Sequence, residues 1–113
     1  MDVENSIFTA NIADSDGGAA FMGDGSVKNC TFADNQAKGQ FGRGGALNFL
    51  LNAIVSDSTF TGNYATEEGG AIYMPHAGSV TNCKFDGNSA KEAGGAIYSH
   101  REQVAADTCI FKT

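Results

Sequence analysis

One short pattern recurs along this chain at a spacing of about 25 residues. Each full copy has Val, then Asn or Asp two positions later, then Phe three positions after that. A degenerate fifth copy begins at Ala106 and keeps the Phe. The Phe residues are separated by 24, 28, 25 and 26 positions, and they are Phe8, Phe32, Phe60, Phe85 and Phe111. A period held over five copies predicts a solenoid in which each copy forms one coil.

The rest of each copy identifies the kind of solenoid. A second Asn follows Phe by three positions, and each of the first four copies then contains a Gly-Gly-Ala unit, beginning at residues 17, 44, 69 and 94. The segments between these markers are four to six residues long and rich in Val, Ile, Phe, Tyr and Thr, which is typical of short strands. Leucine-rich repeats share the period but need Leu at paired positions before an Asn, and this chain has only three Leu; helical repeats need longer units with a 3.6-residue apolar rhythm. The pattern therefore predicts a parallel β-helix of about four and a half coils, with three short strands per coil.

The corners of the coil follow from side-chain alternation. Val80, Cys83 and Phe85 cannot all point inward along one straight strand, so we expect a bend at Asn82. Asn tolerates left-handed backbone geometry, and stacked copies would form a side-chain ladder along the axis. This first ladder consists of Asn5, Asn29, Asp57 and Asn82. The second Asn column predicts another bend and ladder by the same reasoning, with Asn11, Asn35, Asn63 and Asn88. Gly-Gly supplies the third corner.

These motifs resemble a known family of repeats. The Phe-x-x-Asn motif at Phe85–Asn88 and the Gly-Gly-Ala-Ile motif at Gly94–Ile97, with their counterparts, are similar to the repeats of chlamydial polymorphic outer membrane proteins. They are also similar to repeats in adhesin-like surface proteins of methanogenic archaea. The resemblance covers nearly the whole chain. It implies an all-β, right-handed, single-stranded parallel β-helix with a role in adhesion at the cell surface.

Composition and charge argue against several classes of function. The formal net charge is −6 with only 7 Lys and Arg, so we expect no binding to nucleic acid. The longest apolar stretch, 47–55, is interrupted by Asn48 and Asn52 and is too short to span a membrane. The N-terminus has no signal-peptide pattern. We therefore expect a single β-helix domain over 1–113 that is a segment of a longer exported solenoid or a stacking protomer.

Cysteine occurs at one recurring position, two residues before Phe. That column reads Ser6, Cys30, Ser58, Cys83 and Cys109. Exchange between Ser and Cys suits a small interior slot, so we expect buried free thiols at Cys30, Cys83 and Cys109. A Cys83–Cys109 disulfide is the alternative, although in-register parallel side chains suit it poorly. Neither this column nor His76 and His100, which we expect in exposed loops, has the spacing of a metal site. We predict no metal and no cofactor.

The charged residues offer little for catalysis. Asp16, Arg43 and Glu68 precede Gly-Gly in successive copies, an acid-base-acid order that predicts a surface salt-bridge ladder. Polysaccharide-degrading β-helix enzymes cluster several carboxylates around calcium, and Glu67, Glu68 and Glu92 provide at most a thin version of such a cluster. We predict that the chain is not an enzyme, with a pectate-lyase-like activity as an alternative.

An aromatic column suggests a binding face. Phe21, Tyr73 and Tyr98, with Asn48 in the second copy, lie one residue past an apolar column that we expect to be inside. Alternation then places the aromatic rings outside, where a row of them suits a glycan or protein partner. Cover by the segment Phe49-Leu50-Leu51 is the alternative.

Together these features predict a non-catalytic structural and adhesive module, located outside the cell or at its surface. Its expected partner is a protein or glycan on another cell surface. The alternative partner is a further copy of the chain, stacked through uncapped coil ends into a filament.

Overall fold

All regular structure in the described part of the chain is β. The computed structural model describes residues 2–76 and 78–99 in full, and the backbone of the strands at 104–107 and 110–112. Four successive coils repeat the same path, and two further strands begin a fifth. The first coil contains β1 (Asp2–Glu4), β2 (Ile7–Thr9), β3 (Ile12–Ala13) and β4 (Ala20–Met22). The second contains β5 (Gly25–Lys28), β6 (Thr31–Ala33), β7 (Gln36–Ala37) and β8 (Leu47–Phe49).

The later coils match the earlier ones. The third contains β9 (Ala53–Ser56), β10 (Thr59–Thr61), β11 (Tyr64–Ala65) and β12 (Ile72–Tyr73). The fourth contains β13 (Gly78–Thr81), β14 (Lys84–Asp86), β15 (Ser89–Ala90) and β16 (Ile97–Tyr98), and the fifth begins with β17 (Val104–Asp107) and β18 (Ile110–Lys112). Corresponding strands pair in parallel, so the predicted parallel β-helix is confirmed.

Over the described residues the strands form four sheets, named here by their order along a coil. The first and second sheets have five strands each, and the third and fourth have four each. The predicted number of three strands per coil is therefore corrected to four. The additional turn joins the fourth sheet to the first and contains Gly23-Asp24 in one coil and Leu50-Leu51-Asn52 in the next. Because these segments share no residue type, the repeat contained no signal for that corner.

The core consists of columns of like residues. Val27, Val55 and Val80 are paired in register and fully buried, as is the Ala37–Ala65 pair. The rings of the first four repeat Phe residues stack with centroids 4.9 Å apart and planes within 3° to 4° of parallel. That separation matches the spacing between strands, so the sheet itself positions the rings.

Two corners have the backbone geometry that the sequence predicted. The first corner has positive φ at every member of its Asn/Asp column, between 51° and 54°. The third has positive φ, between 66° and 74°, at the first Gly of each Gly-Gly pair. A Cβ on the second glycine of one such pair, Gly45, would lie 2.0 Å from the Gly70 carbonyl oxygen of the next coil. Side chains are excluded there because adjacent coils approach closely.

The corner at the second Asn column differs from the prediction. The left-handed residue is the one before Asn, at Ala10, Asp34, Gly62 and Gly87, where φ lies between 56° and 65°. The Asn side chain itself turns inward, and Asn35 and Asn63 are fully buried. The chain therefore bends one residue earlier than expected, and the Asn serves through its side chain.

Candidate lateral binding face

The predicted aromatic column lies on the outer surface of the fourth sheet. Strand pairing places Phe21 beside Asn48, Asn48 beside Tyr73, and Tyr73 beside Tyr98. Phe21 is 49% exposed and Tyr98 is half-buried, but Tyr73 is only 7% exposed. The expected exposure therefore holds for Phe21 and in part for Tyr98, and it fails for Tyr73.

Contacts from two neighbouring coils explain why Tyr73 is covered. Its ring stacks against that of Tyr98, with centroids 5.4 Å apart. On its ring lies the Arg43 guanidinium, whose central carbon is 5.5 Å from the centroid, a distance suited to cation–π attraction. Burial raises the pKa of the Tyr73 phenol. The middle of the column is thus a fixed stack rather than an open platform.

Arg43 is held in place by acidic neighbours. Its Nε donates to Glu67 Oε1 at 2.7 Å and lies 3.7 Å from Glu68 Oε1. The hydrogen bond to Glu67 raises the pKa of the guanidinium. The backbone N–H of Arg43 donates to Asp16 Oδ1 at 3.1 Å, so the acid-base-acid order noted in the sequence joins three adjacent coils. A hydrogen bond to Glu68 likewise raises the pKa of Tyr98.

Asn48 interrupts the aromatic column between Phe21 and Tyr73. It is 2% exposed, and its side-chain amide donates to the Arg43 carbonyl at 3.2 Å. The segment that we considered as a cover divides in two: Phe49 is fully buried in the core, whereas Leu50 and Leu51 are each 53% exposed. The backbone N–H groups of these two leucines donate to Met22 and Gly23, which continues the pairing of the fourth sheet into the turn.

The inner Asn column forms a buried ladder. The Asn35 side-chain oxygen accepts from the backbone N–H and the amide of Asn11, both at 3.0 Å. The Asn35 amide donates to the Phe8 carbonyl and to Asn63 Oδ1, both at 3.0 Å. Asn63 repeats the arrangement with Phe32 and Asn88. Among the described residues, no buried side-chain nitrogen or oxygen lacks a partner.

The outer column forms an exposed ladder of opposite polarity. Here the later coil donates to the earlier one: Asn29 to Asn5 at 2.7 Å and Asn82 to Asp57 at 2.8 Å. In the inner ladder the earlier coil donates. Both ladders fasten adjacent coils, one inside the wall and one on its surface.

The Ser and Cys column lies inside the first corner. Cys30 and Cys83 are buried, and the thiol of each donates to the carbonyl two residues before it, at 3.3 Å. Ser6 and Ser58 make the same local contact at 2.8 Å. This shared hydrogen bond explains why hydroxyl and thiol interchange at the position. Cys109, and with it the alternative disulfide, lies outside the described residues.

The remaining polar candidates do not converge. His76 is exposed, and His100 lies outside the described residues. In the part of the chain that the structure describes, no three His, Cys, Asp or Glu side chains are grouped closely enough to hold a metal ion. Glu67 and Glu68 both face Arg43, which neutralises part of their charge.

Two surface features were not fully predictable from the sequence. One is a turn at Gly39–Gly42 that exposes Phe41, and the other is a cleft on the first sheet beside Ile54. The spacing of 28 between Phe32 and Phe60 marked the coil that contains the turn, but not its shape. The cleft lies between residues of three coils, so it could not be recognised from one repeat.

This architecture defines the chain as a parallel β-solenoid with a continuous polar and aromatic wall. Residues 57–75 and 82–100 match the family model described as the Chlamydia polymorphic membrane protein (Chlamydia_PMP) repeat. These two stretches are similar to that repeat, and both motifs of the sequence resemblance lie within the matched residues. The similarity to methanogen adhesin-like repeats stays a prediction.

The other comparisons add no relative. Neither the curated proteins nor the solved structures contain a match to this chain. The described residues include no helix of sufficient length and apolarity to cross a membrane.

Proposed function

We propose that this chain is a non-catalytic cell-surface module, a stiff spacer that presents a lateral face to a protein or glycan on another cell. The observation that carries the proposal is the unbroken set of axial contacts through four coils. Ring stacks, the buried Asn ladder and parallel sheets all run along the same direction. Such an arrangement resists bending, because bending would separate well-packed groups. The family match supports a place at the cell surface.

The proposed binding face is the outer surface of the fourth sheet. Phe21 offers a half-exposed ring, and Tyr98 offers a partly covered one. Tyr73 contributes to the face indirectly. Its ring stacks against that of Tyr98 and also contacts the Arg43 guanidinium, and these contacts hold both neighbours in place. An aromatic surface of this kind, already ordered before contact, loses little conformational entropy on binding.

The test is binding to intact host-type cells and to a glycan array, with Phe21→Ser and Tyr98→Ser variants. We expect each variant to weaken binding about tenfold, the effect of losing roughly 1.4 kcal/mol at an interface. Ile7→Ser is the matched control, because Ile7 is 76% exposed on the second sheet. Equal loss in the control, or no loss in either test variant, would contradict a binding face on the fourth sheet.

The alternatives from the sequence remain separate predictions. Calcium-dependent release of unsaturated sugars from a pectin-like polymer would contradict the non-catalytic proposal. Filaments formed by end-to-end stacking would be visible by electron microscopy. We also predict that residues 1–113 unfold as one unit, which a single transition by two spectroscopic probes would support.

A further inference from the structure

The second coil contains an insertion that the other coils lack. Between the third sheet and the Gly-Gly corner it has six residues, 38–43, where the other coils have three, at 14–16, 66–68 and 91–93. Backbone hydrogen bonds align Lys38 with Ala13 of the coil before, and Gly42 with Glu67 of the coil after. The three additional residues are therefore Gly39, Gln40 and Phe41.

The insertion is a fixed turn. The Gly42 N–H donates to the Gly39 carbonyl at 3.2 Å and to the Thr66 hydroxyl at 3.0 Å, and that hydroxyl donates back to the Gly39 carbonyl. A Cβ on Gly39 would lie 1.6 Å from the Asp14 carbonyl oxygen, so the turn rests directly on the first coil. Two neighbouring coils thus hold the turn in one conformation.

This fixed turn exposes an aromatic ring. Phe41 is 59% exposed, and both Gln40 and Lys38 beside it are exposed. Exposed aromatics on rigid turns make effective anchors, because burying them on a partner requires little ordering of the backbone. Of the two basic residues near Phe41, Arg43 is paired with Glu67 and Glu68, whereas Lys38 is exposed and places a positive charge beside the ring on a chain whose net charge is negative.

A cleft elsewhere on the same molecule has the complementary character. It has a volume of about 310 Å³ and is lined by Asp2, Asp24, Gly25, Ser26, Asn52 and Ile54. Its apolar wall is Ile54, which is 56% exposed, and its carboxylates include Asp2, which accepts from the Ser26 hydroxyl at 2.7 Å. This volume is at the lower end of the range for ligand pockets, which suits one or two side chains better than a sugar chain.

We propose that the Phe41 turn of one copy docks into this cleft on a second copy. The ring packs against Ile54 and the Gly25 backbone, and the Lys38 ammonium lies toward the carboxylates of Asp2 and Asp24. The turn and the cleft are different surfaces of one chain, so the contact is heterologous and leaves a free turn and a free cleft at the ends of every assembly. Such contacts join copies side to side, independently of the fourth-sheet face and of end-to-end stacking.

The contact is small, so its strength in solution is modest. Interfaces below about 1,200 Å² are typical of weak and transient encounters. On a surface that displays many copies, such contacts add through avidity. Two surfaces bearing this chain would then adhere to each other without any other molecule.

Sedimentation velocity over a concentration range from about 10 μM to 1 mM tests the proposal, a range chosen for weak contacts. We expect reversible association of the unmodified chain, which weakens as salt is raised because the charge pair is screened. Phe41→Ser and Ile54→Lys should each weaken association at least tenfold. Deletion of residues 39–41, which gives this segment of the second coil the length it has in the others, should also weaken association at least tenfold. Circular dichroism and the urea midpoint should show that the deletion variant is folded.

Mixing the two point variants provides the sharpest test. Phe41→Ser keeps the cleft and Ile54→Lys keeps the turn, so an equimolar mixture should form one-to-one dimers that grow no further. Three results would each overturn the proposal: a monomer at every concentration, association of Phe41→Ser equal to that of the unmodified chain, or no dimer in the mixture. The second result would favour stacking through coil ends instead.

Discussion

The inner and outer Asn ladders use the same residue type at the same period, yet they stabilise the solenoid in different ways. In the outer ladder, the residue that makes the side-chain contact also has the left-handed backbone. In the inner ladder these tasks belong to two successive residues. The outer ladder is exposed, whereas Asn35 and Asn63 are 0% exposed. Burial therefore makes the inner hydrogen bonds obligatory, and backbone geometry makes the outer residues necessary.

The largest expected effect is that of Asn63→Ala. It removes a hydrogen bond from each of three buried groups: the backbone N–H of Asn35, one of the two amide N–H groups of Asn35, whose other N–H still donates to the Phe8 carbonyl, and the carbonyl of Phe32. At about 1–3 kcal/mol for each unsatisfied group, we expect a loss of at least about 3 kcal/mol in the free energy of unfolding. Urea denaturation measures it. Asn11→Ala is the matched control in the exposed first coil, with an expected loss below about 1 kcal/mol. Equal losses would show that burial does not distinguish the two positions.

A smaller effect is expected in the outer ladder. Asn82 has φ of 53°, a region that costs Ala roughly 1–2 kcal/mol and costs Gly almost nothing. We therefore expect Asn82→Ala to destabilise by that amount and Asn82→Gly to change stability by less than about 0.5 kcal/mol. Thermal unfolding of both variants compares them directly. If Ala and Gly cost the same, the side-chain contact rather than the backbone is what matters at this corner.

At the inner corner, Gly87 has the left-handed backbone and the next residue, Asn88, makes the side-chain hydrogen bonds, and Gly87→Ala tests this division. Gly87 has φ of 65°, and a Cβ there would be 4.0 Å from its nearest neighbour, so only backbone strain opposes the substitution. We expect a loss of about 1 kcal/mol. Gly23→Ala is the control, because its Cβ would meet nothing within 4 Å and its φ lies outside the left-handed region. A loss in Gly23→Ala as large as that in Gly87→Ala would contradict the assignment of strain.

The smallest expected effect is a gain. The Asp57 carboxylate accepts from Asn82 but has no proton to donate to Asn29 in the coil before it. Asp57→Asn supplies that donor and should raise stability by about 0.5 kcal/mol, as expected for one exposed hydrogen bond. Chemical denaturation at two salt concentrations measures the gain, which should vary little with salt. A loss of stability would instead indicate that the charge of Asp57 has its own favourable interactions.

Much of the fold was predictable because each coil repeats the same local constraints. Val80, Cys83 and Phe85 required a bend at Asn82, and the structure has one with left-handed geometry. The column of Phe rings and the parallel pairing followed from the period alone. The candidate face was less predictable. Alternation placed the Tyr73 ring on the outer side of the sheet. Its solvent exposure, however, depends on Arg43, which covers the ring and precedes it by 30 positions in the sequence.

The sequence by itself determined the period, the number of coils, the core columns and the corners at recurring Asn and Gly-Gly residues. These features depend on interactions that every repeat contains, so the same residue types recur in each copy and can be recognised from the sequence. Only the tertiary structure decided the fourth turn, the burial of one Asn ladder, the cover over Tyr73 and the fixed Phe41 turn. The last two of these features arise where unlike residues of neighbouring coils meet, as Thr66 meets Gly39 and Arg43 meets Tyr73. Within the described residues each of these two contacts occurs once, so the repeating pattern did not predict them.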